Sequence, residues 1–370
     1  MLKKRTKARK SVTLRDVAQH AGVSPKTVSN VINDWPYITD ETREKVQASI
    51  KELGYRPSFL ASSLRTGRTN TIGIMIADIT NPFFGQLIRG IEDVLSSAGY
   101  GIFLANTNED LEKEINYLER MVRWGADGLL MFGSRASSEM LAELIDESIP
   151  IVSENSQAER GNMTIMKVDN IQGAHLAVQH LAQSGCRRIA HLGGPALREA
   201  TDSRMVGYQQ ALESVGYPFD PKLVWRCSPS IRGGYQAAIQ FFKEERPDGV
   251  FCYNDLIAIG TLVACRQLGL RVPQDVAIVG FDDIAMAALV DPGLSTIRVR
   301  QVEMGRFAGR LLLDRLSSGN STVDYVTVPV ELVVRRSTDP AAQGSANSGE
   351  DIDRLLQTDL AGLDPNLPEQ

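Results

Sequence analysis

Residues 14–33 read LRDVAQHAGVSPKTVSNVIN, and three of them stand at the positions that decide a helix-turn-helix. Ala18, the fifth residue, is small enough for a second helix to pack against it. Gly22, the ninth, allows a left-handed turn residue, and Val28, the fifteenth, fills the core that both helices share. The stretch therefore predicts two short helices joined by a tight turn.

Capping residues divide residues 12–54 into three predicted helices. Thr13 can cap the first, and Ser24-Pro25 supplies a cap residue and a first-turn proline for the second. The third begins at Thr39 and ends at Gly54. Three short helices in this order form a small all-α head.

The second helix of such a head places its N-terminal part in the major groove of DNA. Pro25, Lys26 and Asn30 would then lie near base edges: Lys26 can donate to guanine, and Asn30 can pair with adenine or a phosphate. The alternative is a helical hairpin that does not bind DNA. Short hydroxyl side chains suited to phosphates are Ser24, Thr27 and Ser29.

The charge of the chain is divided unevenly. Residues 1–68 contain 14 Lys and Arg against six acids, six of the basic residues before Ser11, whereas the whole chain carries a net charge of -5. A small basic segment thus precedes a large acidic one, which favours a polyanion as the partner of the front end. The alternative is a solvated basic tail.

From Asn70 onward, short apolar runs alternate with helical patterns. Alternation of this length predicts parallel sheets with helices on both faces, and two series of about 100 residues predict two similar lobes. The predicted strands are Thr71–Ala77, Gly101–Ala105, Gly128–Phe132, Ile149–Ser153, Arg188–Leu192, Leu223–Cys227, Gly249–Tyr253 and Val276–Phe281. The predicted helices are Phe83–Ala98, Asp110–Trp124, Ser138–Glu147, Met205–Gly216, Gly233–Glu244 and Asp255–Leu268.

Two further segments have a distinct composition. Leu60 and Leu64 share one helical face between the head and the first strand, which fits either a plain linker or a hinge helix. In a hinge helix, Leu64 would enter the minor groove of DNA and Arg65 would contact its wall. Residues 339–370 are rich in small and then acidic residues, and we expect this tail to be disordered.

Several classes of protein are not supported by the sequence. No apolar run approaches the roughly 18 residues of a membrane span, and the basic start is not followed by an apolar core, so we expect a cytoplasmic protein. Nucleotide-binding and hydrolase motifs are missing, which argues against an enzyme or a bound cofactor. Neither the four cysteines (Cys186, Cys227, Cys252, Cys265) nor the four histidines (His20, His175, His180, His191) have metal-ligand spacing.

Longer motifs resemble the lactose-repressor (LacI/GalR) family of bacterial regulators over about residues 12–338. The resemblance implies a helix-turn-helix domain at 12–57, a hinge at 58–69 and a two-lobed effector domain at 70–338, similar to periplasmic sugar-binding proteins. It also implies chain crossings between the lobes near Val168, Arg298 and Val326, and DNA contacts that include Thr13, Tyr55 and Leu64. Ser58 departs from the family, in which many members have Asn. The motifs are Thr13-Leu-Arg-Asp-Val-Ala18, Val28-Ser-Asn-Val-Ile-Asn33, Leu53-Gly-Tyr-Arg-Pro57, Asp78-Ile-Thr-Asn-Pro-Phe-Phe84, Asn254-Asp255 and Val279-Gly-Phe-Asp-Asp283.

The resemblance further implies an effector site between the lobes. There a carboxylate would accept sugar hydroxyls, an arginine would donate in a fork, and an aromatic face would stack on ring C–H groups. Judged without the family, Phe83 and Phe84 are better explained as core residues, and Arg204 is better explained as part of a surface ion pair. The matching positions are Phe83, Phe84, Arg198, Arg204, Asn254 and Asp282.

The sequence thus predicts a homodimeric, sequence-specific transcriptional repressor that binds a palindromic DNA operator. A small ligand, a sugar or sugar-like molecule, would control its affinity for DNA. Arg198 matches an arginine of purine-binding members, but Pro229 stands where those members place an aromatic residue. The alternatives are a purine-dependent corepressor system, a solute-binding protein and a nucleotide-binding enzyme with a DNA-binding head.

Overall fold

The computed structural model describes residues 12–56, 68–156, 161–196, 198–319 and 322–342 of the chain. The chain divides into two units between Thr69 and Asn70. The proposed hinge residues Leu60, Leu64 and Arg65, together with the tail after residue 342, lie outside the described residues. The first unit contains helices α1 (Leu14–Ala21), α2 (Pro25–Ile32) and α3 (Asp40–Leu53).

The three helices of the head begin and end where the capping residues predict. The Thr13 side chain accepts from the backbone N–H of Asp16 at 3.4 Å, while the Asp16 carboxylate accepts from the Thr13 backbone at 2.8 Å. This reciprocal pair satisfies two N–H groups at the start of α1 that have no partner within the helix. Gly22 ends the helix at φ 64°, a left-handed conformation that glycine adopts without steric cost. The predicted helix-turn-helix is therefore confirmed.

A small apolar core joins the three helices. Val17 and Ala18 of α1, Val28 and Val31 of α2, and Val46 of α3 are all at most 3% exposed. Ala18 leaves room for α2, and Val28 fills the space between the helices, as the sequence pattern predicts.

The second unit consists of two lobes, each built on a six-stranded sheet. The strand orders are β11-β5-β4-β3-β1-β2 and β12-β10-β9-β8-β6-β7, and only the pairing of β10 with β12 is antiparallel among the described strands. The first sheet contains β1 (Thr71–Ile76), β2 (Gly101–Asn106), β3 (Gly128–Phe132), β4 (Ile151–Glu154), β5 (Met163–Val168) and β11 (Val323–Val328). The second contains β6 (Ile189–Gly193), β7 (Val224–Arg226), β8 (Gly249–Cys252), β9 (Ala277–Asp282), β10 (Ser295–Arg298) and β12 (Glu331–Val333).

Helices cover these sheets. Those of the first lobe are α4 (Pro82–Ser97), α5 (Leu111–Arg123), α6 (Ser138–Leu144) and α12 (Gln301–Ser318). Those of the second lobe are α7 (Asn170–Gln183), α8 (Glu199–Ser214), α9 (Ile231–Glu244), α10 (Asp255–Leu268) and α11 (Ala285–Leu289). None of the helices in the described ranges is long and apolar enough to cross a membrane.

The chain passes between the lobes three times. It leaves the first sheet after Val168, returns after Arg298 to form α12 on the first lobe, and leaves again between Val328 and Glu331. The crossings expected near Val168 and Arg298 are confirmed, and the third lies two residues beyond the expected Val326. The predicted fold class, an all-α head followed by a two-lobed α/β unit with parallel sheets, is likewise confirmed.

Several predicted boundaries were wrong. The helix expected at Met205–Gly216 begins six residues earlier, at Glu199. The sequence did not reveal this start because the N-cap residue, Arg198, is not a typical capping residue and forms no side-chain capping bond. The strand expected at Ile149–Ser153 is displaced to Ile151–Glu154. Other differences at element ends are the short β7 in place of Leu223–Cys227 and the end of α6 at Leu144 instead of Glu147.

Close backbone contact holds α12 against α4. A Cβ atom added at Gly305 of α12 would lie 2.1 Å from the carbonyl oxygen of Leu87, and one at Gly90 of α4 would lie 2.1 Å from that of Val302. No real Cβ tolerates such distances, so the helices approach this closely only because both positions are glycine. The same arrangement joins α9 to α10 in the second lobe, through Gly234 and Gly260.

We expect Gly305→Ala to lower the free energy of unfolding by about 1–3 kcal/mol, because the added methyl group must push two helix backbones apart. The matched control is Gly85→Ala on α4, where an added Cβ meets nothing within 4 Å. It should raise stability by about 0.5–1 kcal/mol through helix propensity. Urea unfolding of the two variants followed by circular dichroism tests this, and equal stability would refute the close-packing argument.

Candidate functional site

A cleft lies between the two lobes of the second unit, at the carboxyl ends of the parallel strands. Such ends are where ligands bind in open α/β sheets. Its space is about 800 Å³ with the open mouth included. The cleft is lined by Ala77, Asp78, Asn81, Phe83, Phe84, Glu109, Gly133, Ser134, Glu154 and Asn155 of the first lobe and by Arg198, Glu199, Ala200, Arg204, Pro229, Tyr253, Asn254 and Asp282 of the second.

Arg204 is fixed at the base of the cleft by the second lobe. Its Nε donates to the side chain of Asn170 at 2.8 Å, one Nη donates to the backbone carbonyl of Tyr253, and the other lies 3.8 Å from a carboxylate oxygen of Asp282. Its guanidinium carbon lies 3.5 Å from the ring centre of Phe281. Stacking and hydrogen bonding together orient the Arg204 guanidinium. Its distance to the Asp282 carboxylate is longer than a hydrogen bond.

Arg198 connects the two lobes directly. It belongs to the second lobe, yet it donates to the backbone carbonyl of Gly133 and lies 3.3 Å from the Glu109 carboxylate, both in the first lobe. The side chain is buried. The contacts of Arg198 with Gly133 and Glu109 therefore exist only while the two lobes are in this arrangement. A ligand in the cleft lies beside these contacts.

Two carboxyl groups in the cleft hold their protons unusually tightly. Burial raises the pKa of Asp282 to about 7; Arg204 opposes this effect and Glu154 adds to it. Burial likewise raises the pKa of Glu154 to about 7, and the charge of Glu199 adds to this effect. Asp282 is only 7% exposed, and its backbone has a φ of 108°, a strained value for a residue with a side chain.

The aromatic and amide groups of the cleft are held by helix starts. Phe83 and Phe84 follow the cap residue Asn81 and contact each other edge to face, with ring centres 5.4 Å apart. They are largely buried and also line the cleft, so they combine the core and binding roles. Asn254, 2% exposed, uses its side-chain oxygen to accept from Ile257 N–H at 3.0 Å and also lines the cleft.

The structure brings the six residues expected to bind an effector to this one cleft. Sequence reasoning missed the acids Glu109, Glu154 and Glu199 and the aromatic Tyr253, which also line it. A usable signal existed for some of them, because Glu154 ends β4 and Tyr253 directly follows β8. The six expected residues are Phe83, Phe84, Arg198, Arg204, Asn254 and Asp282.

Helix α2 of the head presents a polar first turn. Pro25 and Lys26 are exposed, and neither Lys26 nor Asn30 uses its side chain in a hydrogen bond within the described part of the chain. Ser24 caps the helix by accepting from Thr27 N–H at 3.1 Å, and the two hydroxyls lie 2.9 Å apart. The arrangement leaves Lys26 and Asn30 available for an external partner.

Some of the other residues expected to contact DNA also stabilise the head, and two of them lie outside the described residues. The exposed Thr13 is engaged in capping α1, and Tyr55 is half-buried against the core of the head. Ser29 lies on α2 and is half-buried. Leu64 and Arg65 fall outside the described residues, so their expected contacts remain predictions.

The described head has no net charge. Residues 12–56 contain six basic and six acidic residues, so the basic excess of the front end comes from the segment before Ser11 and from Arg65 and Arg68. Attraction of the chain to a polyanion at long range therefore depends on residues outside the helices, whereas α2 supplies short-range contacts.

Comparison with known proteins identifies both units. The model of "Bacterial regulatory proteins, lacI family" matches residues 13–58, and the "Periplasmic binding protein-like domain" matches residues 178–338. The HTH-type transcriptional repressor PurR of Yersinia pestis is 35% identical over 328 residues, which cover 88% of this chain and 96% of PurR.

Two solved structures share the whole architecture. The lac repressor dimer bound to operator and the anti-inducer ONPF superimposes with a TM-score of 0.78 at 27% identity, covering 89% of this chain and 99% of that one. The transcriptional regulator CelR in complex with cellobiose gives a TM-score of 0.66 at 31% identity, covering 88% and 99%. The similarity extends from the head through both lobes.

We expect Asp282→Asn to stabilise the ligand-free protein at pH 8 by about 1–4 kcal/mol. The folded-state pKa of Asp282 lies above its unfolded value, so its contribution is fully present below about pH 4 and is lost as the pH rises through about 7. The variant has no proton to lose there, so its advantage should grow from pH 5 to pH 8 in urea unfolding.

Asp283→Asn is the matched control on the next residue. Its carboxylate lies 2.5 Å from Arg298 and 2.8 Å from the buried Arg335, so its removal should destabilise the protein by about 3–5 kcal/mol. If Asp282→Asn also destabilises the protein at pH 8, burial does not disfavour the Asp282 carboxylate.

Proposed function

Since the chain belongs to the lacI family of bacterial regulatory proteins, we propose that a sugar bound in the cleft controls how tightly the head holds its operator. The chain is a DNA-binding transcriptional regulator, and its compared relatives are regulators rather than enzymes. We propose that it represses transcription in the cytoplasm as a homodimer, without catalysis or a bound cofactor. Two heads related by a two-fold axis fit a palindromic operator.

The observation that carries this proposal is that both lobes supply polar groups to one cleft. Glu109 and Glu154 come from the first lobe, and Arg198, Arg204 and Asp282 come from the second. A ligand that bonds to both sets binds better in one arrangement of the lobes than in another. Only such a difference in affinity shifts a conformational equilibrium, and thereby the affinity of the protein for DNA.

The chemistry of the cleft suits a hydroxyl-rich ring. Asp282 accepts hydrogen bonds, Arg204 donates them, and the edges of Phe83 and Phe84 provide an apolar surface for C–H groups. The relative CelR binds cellobiose, which supports a sugar here as well. Arg198 matches an arginine of purine-binding members of the family, so nucleobases belong in the same ligand screen.

We propose that α2 reads the operator. Lys26, exposed in the first turn, reaches base edges, and Asn30 lies one turn further along the helix. Hydroxyl groups suit contacts with phosphates, and we propose that five of them position the head on the DNA backbone: Thr13, Ser24, Thr27, Ser29 and Tyr55. Leu64 and Arg65 are proposed minor-groove contacts on the basis of the sequence alone.

We expect Lys26→Ala to weaken binding to the selected operator by about 1–3 kcal/mol and to relax the choice of one base pair, because a base-edge contact is lost. The operator is first obtained by selection from random DNA, and affinities are measured by fluorescence anisotropy. Lys51→Ala, at the exposed end of α3, is the control and should leave base preference unchanged. Equal weakening by Lys26→Ala on every DNA sequence would show that Lys26 contacts only phosphates.

We expect Arg204→Ala to weaken binding of the effector about 10- to 150-fold, because a charge-assisted hydrogen bond contributes about 1.5–3 kcal/mol. Calorimetry with the full chain follows a thermal-shift screen of neutral monosaccharides, cellobiose and nucleobases. Arg271→Ala removes an exposed arginine that is paired with Asp275 away from the cleft, and it should bind like the wild type.

Titration of the operator with and without the identified ligand then shows how the signal is used. If the ligand releases DNA, Arg204→Ala should keep the wild-type affinity for DNA and no longer respond. If the ligand promotes DNA binding, the variant should fail to bind DNA in its presence. Wild-type ligand affinity in Arg204→Ala would remove Arg204 from the site, and a nucleobase as the only ligand would overturn the sugar proposal.

A further inference from the structure

The cleft contains more negative than positive groups. Five carboxylates line it, from Asp78, Glu109, Glu154, Glu199 and Asp282, against two guanidinium groups. The two cations are already committed, because Arg198 lies 3.3 Å from Glu109 and Arg204 lies 3.8 Å from Asp282. Asp78 accepts from the hydroxyl of Thr80 at 2.9 Å. Asp78, Glu154 and Glu199 are therefore the acids without a paired cation among the described residues, and of these three only Glu199 has a buried oxygen with no hydrogen-bond partner.

Glu154 and Glu199 belong to opposite lobes. Glu154 accepts from the side chain of Asn155 at 2.6 Å and from the backbone N–H of Gly133 at 3.3 Å, and neither donor carries a charge. Glu199 accepts from the Ser203 hydroxyl at 2.5 Å through one oxygen. Its other oxygen is buried and has no hydrogen-bond partner in the described part of the chain. A buried acceptor without a donor is costly unless a ligand supplies one.

The two carboxylates influence each other across the cleft. After burial, the charge of Glu199 is the strongest influence that raises the pKa of Glu154. Glu199 is the first residue of α8 and so lies at the positive end of the helix dipole. Arg204 and Arg198 lower the pKa of Glu154, but neither forms an ion pair with Glu154 or Glu199 among the described residues. Two acids that line one cleft from opposite lobes in this way would be stabilised by a positively charged group between them.

Two observations indicate what completes it. Within the described ranges, no group of three or more His, Cys, Asp and Glu is arranged to hold a metal ion, which favours an organic cation here. The NH₂ group of Asn254, whose side chain is 2% exposed on the cleft wall, donates no hydrogen bond within the described chain. The cleft thus requires a ligand that has both a cationic donor and hydroxyl acceptors.

We propose that the effector is an amino sugar whose primary ammonium group binds between Glu154 and Glu199 and so joins the two lobes. The inference rests on the proposed function, which it deepens by naming the class of sugar. An ammonium group provides three donors and no acceptor, which matches two carboxylates that hold no cation. The hydroxyls of the ring bind Asp282, Arg204 and Asn254, and its C–H face lies against Phe83 and Phe84.

The test compares sugars that differ only in one group. D-glucose, D-galactose and D-mannose are each paired with the corresponding 2-amino sugar, and D-glucose is also paired with its 6-amino derivative. Calorimetry uses the full chain at pH 7 and fixed ionic strength. In at least one pair we expect the amino sugar to bind about 10- to 100-fold tighter, the effect of a charged hydrogen bond in a buried site. The N-acetylated sugar, which keeps the nitrogen without its charge, should lose this preference.

Two variants locate the ammonium group. Glu199→Gln and Glu154→Gln keep the size of the side chain and remove its charge, and each should bring the affinity ratio of amino to neutral sugar close to one. Glu213→Gln, at the exposed far end of α8, is the control and should keep the full ratio. Using two variants from different lobes keeps the test decisive if one of them fails to fold.

The outcomes test the ammonium site separately from the proposed control by a sugar. If neutral and amino sugars bind equally, or if the N-acetylated sugar binds as tightly as the amine, the ammonium site is wrong and the sugar-controlled regulator stands. If no sugar of either kind binds, the proposed sugar effector fails and the amino-sugar inference fails with it. If Glu213→Gln lowers the ratio as much as Glu199→Gln does, the effect is general electrostatics and the assigned site is wrong.

Discussion

The close approach of α12 to α4 is the contact on which the architecture of the second unit depends. Backbone meets backbone at Gly90 and Gly305, so α12 belongs to the first lobe even though it follows the second lobe in the chain. The chain must therefore cross between the lobes three times. Three crossings at one edge permit the lobes to rotate about them while the strand ends that form the cleft stay opposite each other.

Function and stability make opposing demands on the cleft. Asp282 and Glu154 have pKa values of about 7 because burial disfavours their ionised forms, and Asp282 also adopts a strained backbone. A core built for stability alone would not retain such groups. Their presence is understandable if a ligand supplies the missing hydrogen bonds, because the cost to the empty protein then becomes a gain in affinity and selectivity for the ligand.

Local rules predicted the head almost completely from the sequence. Thr13, Ser24 and Gly22 act through contacts within a few residues, so their effect is readable along the chain. The cleft was predictable in part: the position of Asp282 followed from the family resemblance. The presence of Glu154 and Glu199 in one cleft could not be foreseen, because 45 positions separate them and only the packing of two lobes brings both to it. The early start of α8 was missed for a related reason, since Arg198 is occupied with Gly133 and Glu109 rather than with capping.

The order of the strands also has a consequence for biosynthesis. The first lobe contains β1 to β5, but its sheet is completed by β11 and one face is covered by α12, both of which follow all of the second lobe except β12 in the chain. A nascent chain that has left the ribosome as far as Val168 therefore exposes an unpaired edge at β5 and an uncovered apolar face on α4. The lobe that is translated first thus stays incomplete until nearly all of the second lobe has been made, so most of the second lobe is synthesised while its neighbour is still open.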